Sequence, residues 1–188
     1  MATNADNVRV AVTGAVYNDP EGLQDAPTGT GSDLTGWADL GFNSEDGVNL
    51  TMPGAGQSTP LKVWQQGATV RVLRAAPDDT PGLEFTMVET KKETIELAFG
   101  VKVDQVAEEG HFVINTNTLR KPTRIVVDSI DGAEMMRVFA PQAVVTAVDS
   151  ISLKGTEATA FKVTLACEFN QELNGHLEVW STSLKSPE

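Results

Sequence analysis

Two packed antiparallel sheets, closing as a sandwich or barrel with one helix alongside, are what this sequence predicts. Three observations carry the prediction. Apolar residues recur at every second position, most clearly at Phe161, Val163, Leu165, Cys167 and Phe169, interleaved with Lys162, Thr164, Ala166 and Glu168. Such runs mark strands with one buried and one wet face. Gly, Pro and Asp-Gly signals fall between the runs, where tight turns are needed. Helical periodicity occurs once, near residues 90–99, so the helix is an accessory to a β core.

Taken in order, Val8, Val10 and Val12 alternate with Arg9, Ala11 and Thr13 and open an early strand running to Tyr17. Residues 37–50, WADLGFNSEDGVNL, read as two short strands bracketing a turn. Strands are also expected near 61–66, 69–75, 123–130, 134–140, 144–153 and 176–181. Another follows from Leu83, Phe85 and Met87 alternating with Glu84 and Thr86. Gly67 and Asp131-Gly132 supply turns. Pro141 has no amide hydrogen to give a ladder and is expected to end one strand before the next begins. In the helix, Thr90 is placed as N-cap with Glu93 as its capping-box partner. Gly100 suits the left-handed position just past the end. Ile95, Ala98 and Phe99 form one apolar stripe. Lys91 and Lys92 oppose the helix dipole, so the helix should depend on packing.

A chain of 188 residues is expected to form a single domain, 1–188, with an N-terminal arm at 1–7. Two tracts show neither period and read as flexible loops. The first, 18–36, carries Gly22, Pro27, Gly29 and Gly31. The second, 51–60, consists of Thr51, Met52, Pro53, Gly54, Ala55, Gly56, Gln57, Ser58, Thr59 and Pro60. Long loops within a compact domain usually serve a function or are disordered.

The net charge is −12, which disfavours binding to nucleic-acid phosphates. Residues 1–60 hold eight acids against the single base Arg9, and the remainder holds eighteen against thirteen. No run approaches the roughly 18 apolar residues of a membrane span, so no membrane partner is expected. MATNADNVRV lacks the layout of a signal peptide, and synthesis in a cytosol is the expectation.

The residues offer little chemistry. Cys167 cannot form an intramolecular disulfide and reads as a small buried hydrophobe rather than a nucleophile. His111 and His176 fit no ligand spacing and read as half-exposed strand residues rather than metal ligands or bases. Asp78-Asp79 looks like a turn. Asp128, Asp131 and Gly132 hint at a calcium loop but lack its spacing. Gly29-Thr30-Gly31 has no following Lys and helix, so it is no phosphate loop. Asn49-Leu50-Thr51 is a glycosylation sequon only in a secreted chain. Trp37, Trp64 and Trp180 are scattered and suit a core or a subunit contact. Arg120, Lys121 and Arg124 form the sole basic cluster, read as a solvated strand entry or a docking patch for an acidic neighbour. No catalytic residue, cofactor or metal is expected.

The segment Trp37-Ala38-Asp39-Leu40-Gly41-Phe42-Asn43-Ser44-Glu45-Asp46-Gly47-Val48 resembles the major tail tube proteins of long-tailed phages, especially those of actinobacterial hosts. Lys62-Val63-Trp64-Gln65-Gln66-Gly67 follows, as a Lys-x-Trp-Gln-x-Gly segment does in that family. Then come an arginine-containing strand at 70–74, Phe85-Thr86-Met87-Val88-Glu89-Thr90 and Thr94-Ile95-Glu96-Leu97-Ala98-Phe99-Gly100. The likeness covers about residues 8–100 in ordered succession, with Ile95 where the pattern often has Leu, and weakens afterwards.

The resemblance implies two packed antiparallel sheets with a helix beside them and hexameric rings stacking into a tube, while the lack of reactive clusters in the residues predicts no enzymatic activity. It implies a tape measure protein inside the growing tube, tail terminator and tail-tip proteins at its ends, and double-stranded DNA as a passing, unbound cargo. The place of action is then the virion tail, reached from the host cytoplasm. Residues 51–60 become a ring-stacking loop, and an acidic lumen, with Glu84 or Glu168 as candidates, would repel phosphates. The alternatives are an extracellular β-sandwich binding module and a capsid decoration or head–tail joining protein. The first would call for a secretion route and an aromatic platform, yet Tyr17 is the lone tyrosine.

Overall fold

The computed structural model describes residues 8–62, 64, 69–75, 79–106, 109–117, 119–156 and 158–184. The expected arm at 1–7, the turn at Gly67 and Asp78 lie outside the described residues. The chain is mainly β. Its strands are β1 (Thr13–Asp19), β2 (Ala38–Asp39), β3 (Asn43–Thr51), β4 (Ser58–Lys62), β5 (Thr69–Arg74) and β6 (Gly82–Met87). After helix α1 (Lys92–Phe99) come β7 (Asp104–Val106), β8 (Glu109–His111), β9 (Thr123–Asp131), β10 (Glu134–Val148), β11 (Phe161–Cys167) and β12 (Glu178–Ser181).

Eight strands form one antiparallel sheet in the order β2-β1-β9-β10-β11-β6-β3, with β12 added beside the first half of β10. Among the described residues β4 pairs only with β5, and β7 only with β8. The main sheet curls back on itself without closing into a barrel. Val16 from one end of the strand order shares a buried cluster with Leu83, Phe85 and Met87 near the other end. Ile95, Leu97 and Ala98 of α1 join that cluster, so the helix packs where the sheet folds over. Burying a Leu, Phe or Met side chain fully stabilises by about 1.5–3 kcal/mol each. The alternation at 83–87 and 161–167 is realised residue by residue, with odd positions buried.

Segment 37–50 is not a hairpin. β2 pairs with β1, and β3 pairs with β6, at opposite ends of the strand order. Leu40, Gly41 and Phe42 span the gap. The Leu40 N–H donates to the Val16 carbonyl at 3.0 Å, and the Phe42 carbonyl accepts from Val88 N–H at 2.9 Å. Gly41 sits at φ 79°, where a side chain would also meet the Glu89 carboxylate. That carboxylate accepts from the Phe42 N–H at 3.0 Å. Local propensity placed both strands; only the long-range pairing could say that they do not meet.

Four further expectations are corrected. Pro141 does not break the chain into two strands: β10 runs unbroken from Glu134 to Val148. Its ladder with β9 shifts register between Ala140 and Ala143, and a bulge is where proline's missing donor is tolerated. β1 begins at Thr13, leaving Val8, Val10 and Val12 exposed. Val10 and Val12 do donate to Asp131 Oδ2 and the Ile130 carbonyl, so the segment trails along β9 without a ladder. The helix is capped at Lys91 without a side-chain hydrogen bond, so the Thr90–Glu93 capping box does not form. Phe169 lies past the end of β11 and is half exposed rather than core. At the helix C-terminus Gly100 takes the left-handed conformation, φ 66°, that its position required.

Candidate functional site

Cys167 and His176 are engaged in packing and a backbone bond. Cys167 is fully buried, and desolvation pushes its thiol up to about 11. His176 Nδ1 lies 2.8 Å from the Cys167 carbonyl oxygen, to which it donates, and the ring stands edge-on to Phe169. His111 is exposed at the end of β8. Asp128 is bound to Arg137, while Asp131 accepts from the Val10 backbone, so the two do not converge as a calcium loop would need. Among the described residues no group of three or more His, Cys, Asp or Glu could hold a metal.

The basic cluster divides between two sides of β9. Arg120 turns to the helix end, where Nη1 donates to the carbonyls of Ala98 at 2.8 Å and Leu97 at 3.3 Å. Partial burial lowers its pKa. Arg124 turns the other way, pairing with Asp19 at 3.2 Å and donating to the Gln24 carbonyl at 2.7 Å. Its guanidinium also lies over Trp37 and Phe139, 5.3 and 5.6 Å from the ring centroids. Lys121 is exposed. With Arg120 it lines a cleft of about 340 Å³ that also contains Glu21, Glu96 and Lys102.

What sequence reasoning missed is how residues 18–36 attach to the sheet. Arg137 is buried in β10 and directly opposes Asp128 of β9. Its guanidinium also donates to the carbonyls of Gly29 at 3.1 Å and Ser32 at 2.9 Å. Asp19 accepts from the backbone of Leu23 and Gln24, and Asn18 bonds Thr123. Trp37 packs edge-on against Phe139 at the tract's end. Burial, then the Asp128 and Asp39 carboxylates, push the Tyr17 phenol up. No spacing signals the bonds of Arg137 to Gly29 and Ser32 or of Asn18 to Thr123, because each joins residues about a hundred apart.

The second tract is framed differently. Thr51 ends β3 and Ser58, Thr59 and Pro60 begin β4, so the irregular stretch is 52–57. Beyond it, the β4–β5 pair exposes Leu61, Val72 and Leu73, each about half exposed. Register places Val72 on one face and Leu61 and Leu73 on the other. Trp64 is almost wholly exposed, whereas Trp37 is core and Trp180 is partly buried. Among the described residues strand β3 has β6 on one side only. Its ladder skips from Asn43 to Val48, so Ser44, Glu45, Asp46 and Gly47 bulge from the edge. A solitary two-stranded sheet is marginally stable in water, and an open edge offers unpaired backbone groups to another chain. Such surfaces suit association more than catalysis.

The sequence matches the family described as phage tail tube protein over residues 1–181, well past the point where the motif likeness weakens. No curated protein matches it. The match spans nearly the whole chain and the open sheet edges accord with it: the chain belongs to the phage tail tube protein family.

Proposed function

We propose that this chain is the major tail tube subunit of a long-tailed phage, forming hexameric rings that stack into a tube around a tape measure protein. The finished tube conducts double-stranded DNA and is closed off by terminator and tail-tip proteins. The observation that carries the reading is the family match over nearly the whole chain. The sheet edges at β2 and β3 support lateral joining of subunits, since each leaves one side of its backbone for a neighbour. Residues 51–60, from Thr51 to Pro60, act as the ring-stacking loop. The docking patch drawn from Arg120, Lys121 and Arg124 presents chiefly Lys121 outward, because both arginines bond within the chain.

The net charge of −12 makes DNA a passenger. Glu168 is exposed, while Glu84 is paired with Lys162 at 3.1 Å, so Glu168 is the stronger candidate for the lumen. Negative-stain microscopy of the concentrated protein tests the assembly, with stacked rings or tubes expected and a persistent monomer overturning it. Micromolar binding of duplex DNA at physiological salt would overturn the passenger role.

A further inference from the structure

We propose that the cleft between residues 18–21, the end of α1 and the entry to β9 binds a carboxylate carried beside an apolar group, gripped by the Nε–Nη2 edge of Arg120. The site goes beyond the assembly proposed above and operates within a single chain.

Two arginines of this fold are held in the same manner, and one of them lacks its partner. In Arg137, Nη1 donates to the carbonyls of Gly29 and Ser32, while Nε and Nη2 take the two oxygens of Asp128. In Arg120, Nη1 likewise donates to two backbone carbonyls, Ala98 at 2.8 Å and Leu97 at 3.3 Å. Its Nε and Nη2 have no partner among the described residues. The N–H groups on that edge run parallel and match the two oxygens of one carboxylate. Because the carbonyls already fix the guanidinium, little rotamer freedom is left to lose on binding. The side chain is half-buried, and desolvation lowers its pKa with no countercharge to offset it.

The surroundings favour an anion. Arg120 and Lys121 bring two positive charges to the cleft, and the exposed Lys121 ammonium is unpaired among the described residues. The acids there are occupied: Glu21 pairs with Lys102 at 3.2 Å, and Glu96 accepts from the Val103 N–H at 2.8 Å. The negative end of the helix dipole, about half a charge, is met by the guanidinium on its last carbonyls and is outweighed. The net charge of −12 repels an anion at long range, but beyond about 8 Å that field is screened at physiological salt.

Size and polarity define the ligand. The cleft of about 340 Å³ lies at the low end of ligand sites, about 300–1,000 Å³. Pro20, Val101, Leu119 and Pro122 give it apolar walls, and Leu119, 88% exposed, is left for the ligand's apolar group to cover. Gly100 lines the same cleft, where a Cβ would stand 3.2 Å from Arg120 Nη1 and 3.4 Å from Nε. Glycine leaves that flank of the guanidinium clear. A chain end or free acid bearing an apolar side chain, and an acidic side chain followed by an apolar one in a peptide, present the same two groups.

The experiment titrates the full chain, below the concentration at which it assembles, with three probes followed by amide chemical shifts. N-acetyl-leucine and acetyl-aspartyl-leucinamide carry the carboxylate; N-acetyl-leucinamide does not. At least one of the two acids is expected to shift the Gly100, Val101 and Lys121 amides saturably, and the uncharged probe is expected to leave them in place. The tighter of the two acids identifies the source, a chain end or an acidic side chain. Arg120→Lys keeps the charge but loses the fork, and should weaken binding at least about tenfold. Lys121→Ala should weaken it about threefold. Thermal melting checks that folding is intact; if Arg120→Lys melts early, Lys121→Glu takes its place and should weaken binding about tenfold. No saturable shift with either acid up to about 10 mM, or equal binding of N-acetyl-leucinamide, would overturn the site. Undiminished binding by Arg120→Lys, or by Lys121→Glu in its place, would overturn the grip assigned to this pair.

Discussion

Arg137 and Asp128 face each other across β9 and β10, with guanidinium Nε and Nη2 on the two carboxylate oxygens at 2.6 and 2.7 Å. The pair is buried, and Arg137 extends from it to two carbonyls of the first loop. Asp128→Asn removes the countercharge and strands a buried cation, at a cost of about 3–5 kcal/mol. Urea unfolding should show that loss, and protease should cut within 18–36 faster than in the parent. The double change Arg137→Met with Asp128→Leu should lose much less stability yet leave the loop equally cleavable. A double variant whose loop resists protease would show that the arginine does not hold it.

Cys167 gives a pH signature. Its thiol ionises at about 11 in the folded chain, raised from 9.0 by burial. Above pH 9 the unfolded chain binds fewer protons than the folded one, so stability falls as pH rises. The protection is complete below pH 9 and is lost progressively toward pH 11, about 3 kcal/mol in all. Cys167→Ala should flatten that part of the profile in denaturant titrations. Native thiol labelling at pH 8 should be slow, and rapid labelling would contradict the burial.

Arg120 closes the helix from outside. Arg120→Met keeps the apolar stem but leaves the Leu97 and Ala98 carbonyls without the guanidinium, a loss of about 1–3 kcal/mol. Gly100→Ala should cost about 1 kcal/mol, because its φ of 66° disfavours a side chain. The new Cβ would also sit 3.1 Å from Arg120 Cδ. Thermal melts of the two single variants and the double should be non-additive, since both act on one guanidinium.

Shortening the irregular stretch by deleting residues 53–57 should leave a soluble chain with the parent's far-UV circular dichroism, because the buried cluster lies elsewhere. Tube growth should cease. Ordering such a stretch costs about 1–2 kcal/mol per residue in backbone entropy, which the proposed contacts between rings would have to supply. Tubes of normal length from this variant would remove the stacking role.

The fold was legible wherever burial alternates. At 161–167 and 83–87 each side chain obeys the period because both strands are flanked on each side by others. The period failed at Val8, Val10 and Val12, where the same alternation lacks a layer to bury it. Proline misled at Pro141, since a bulge is a property of the pair of strands and not of one. β7 and β8 had no signal, being three residues each with Glu109, Gly110 and His111 all exposed. As for the candidate site, Lys121 lies on the surface as its cluster suggested. Arg120 and Arg124 were one cluster in sequence and two unrelated anchors in space.

The link from Leu40 to Phe42 makes a clasp of three residues between the two rims of the curled sheet. A ribbon of strands frays from whichever rim is weaker, one strand at a time. Here tension on β3 is passed through Gly41 to β2, so neither rim can peel while the other stays seated. Amide protons of the two rims should therefore exchange as one cooperative unit, and a tail under load would resist shear as a buckled strap does.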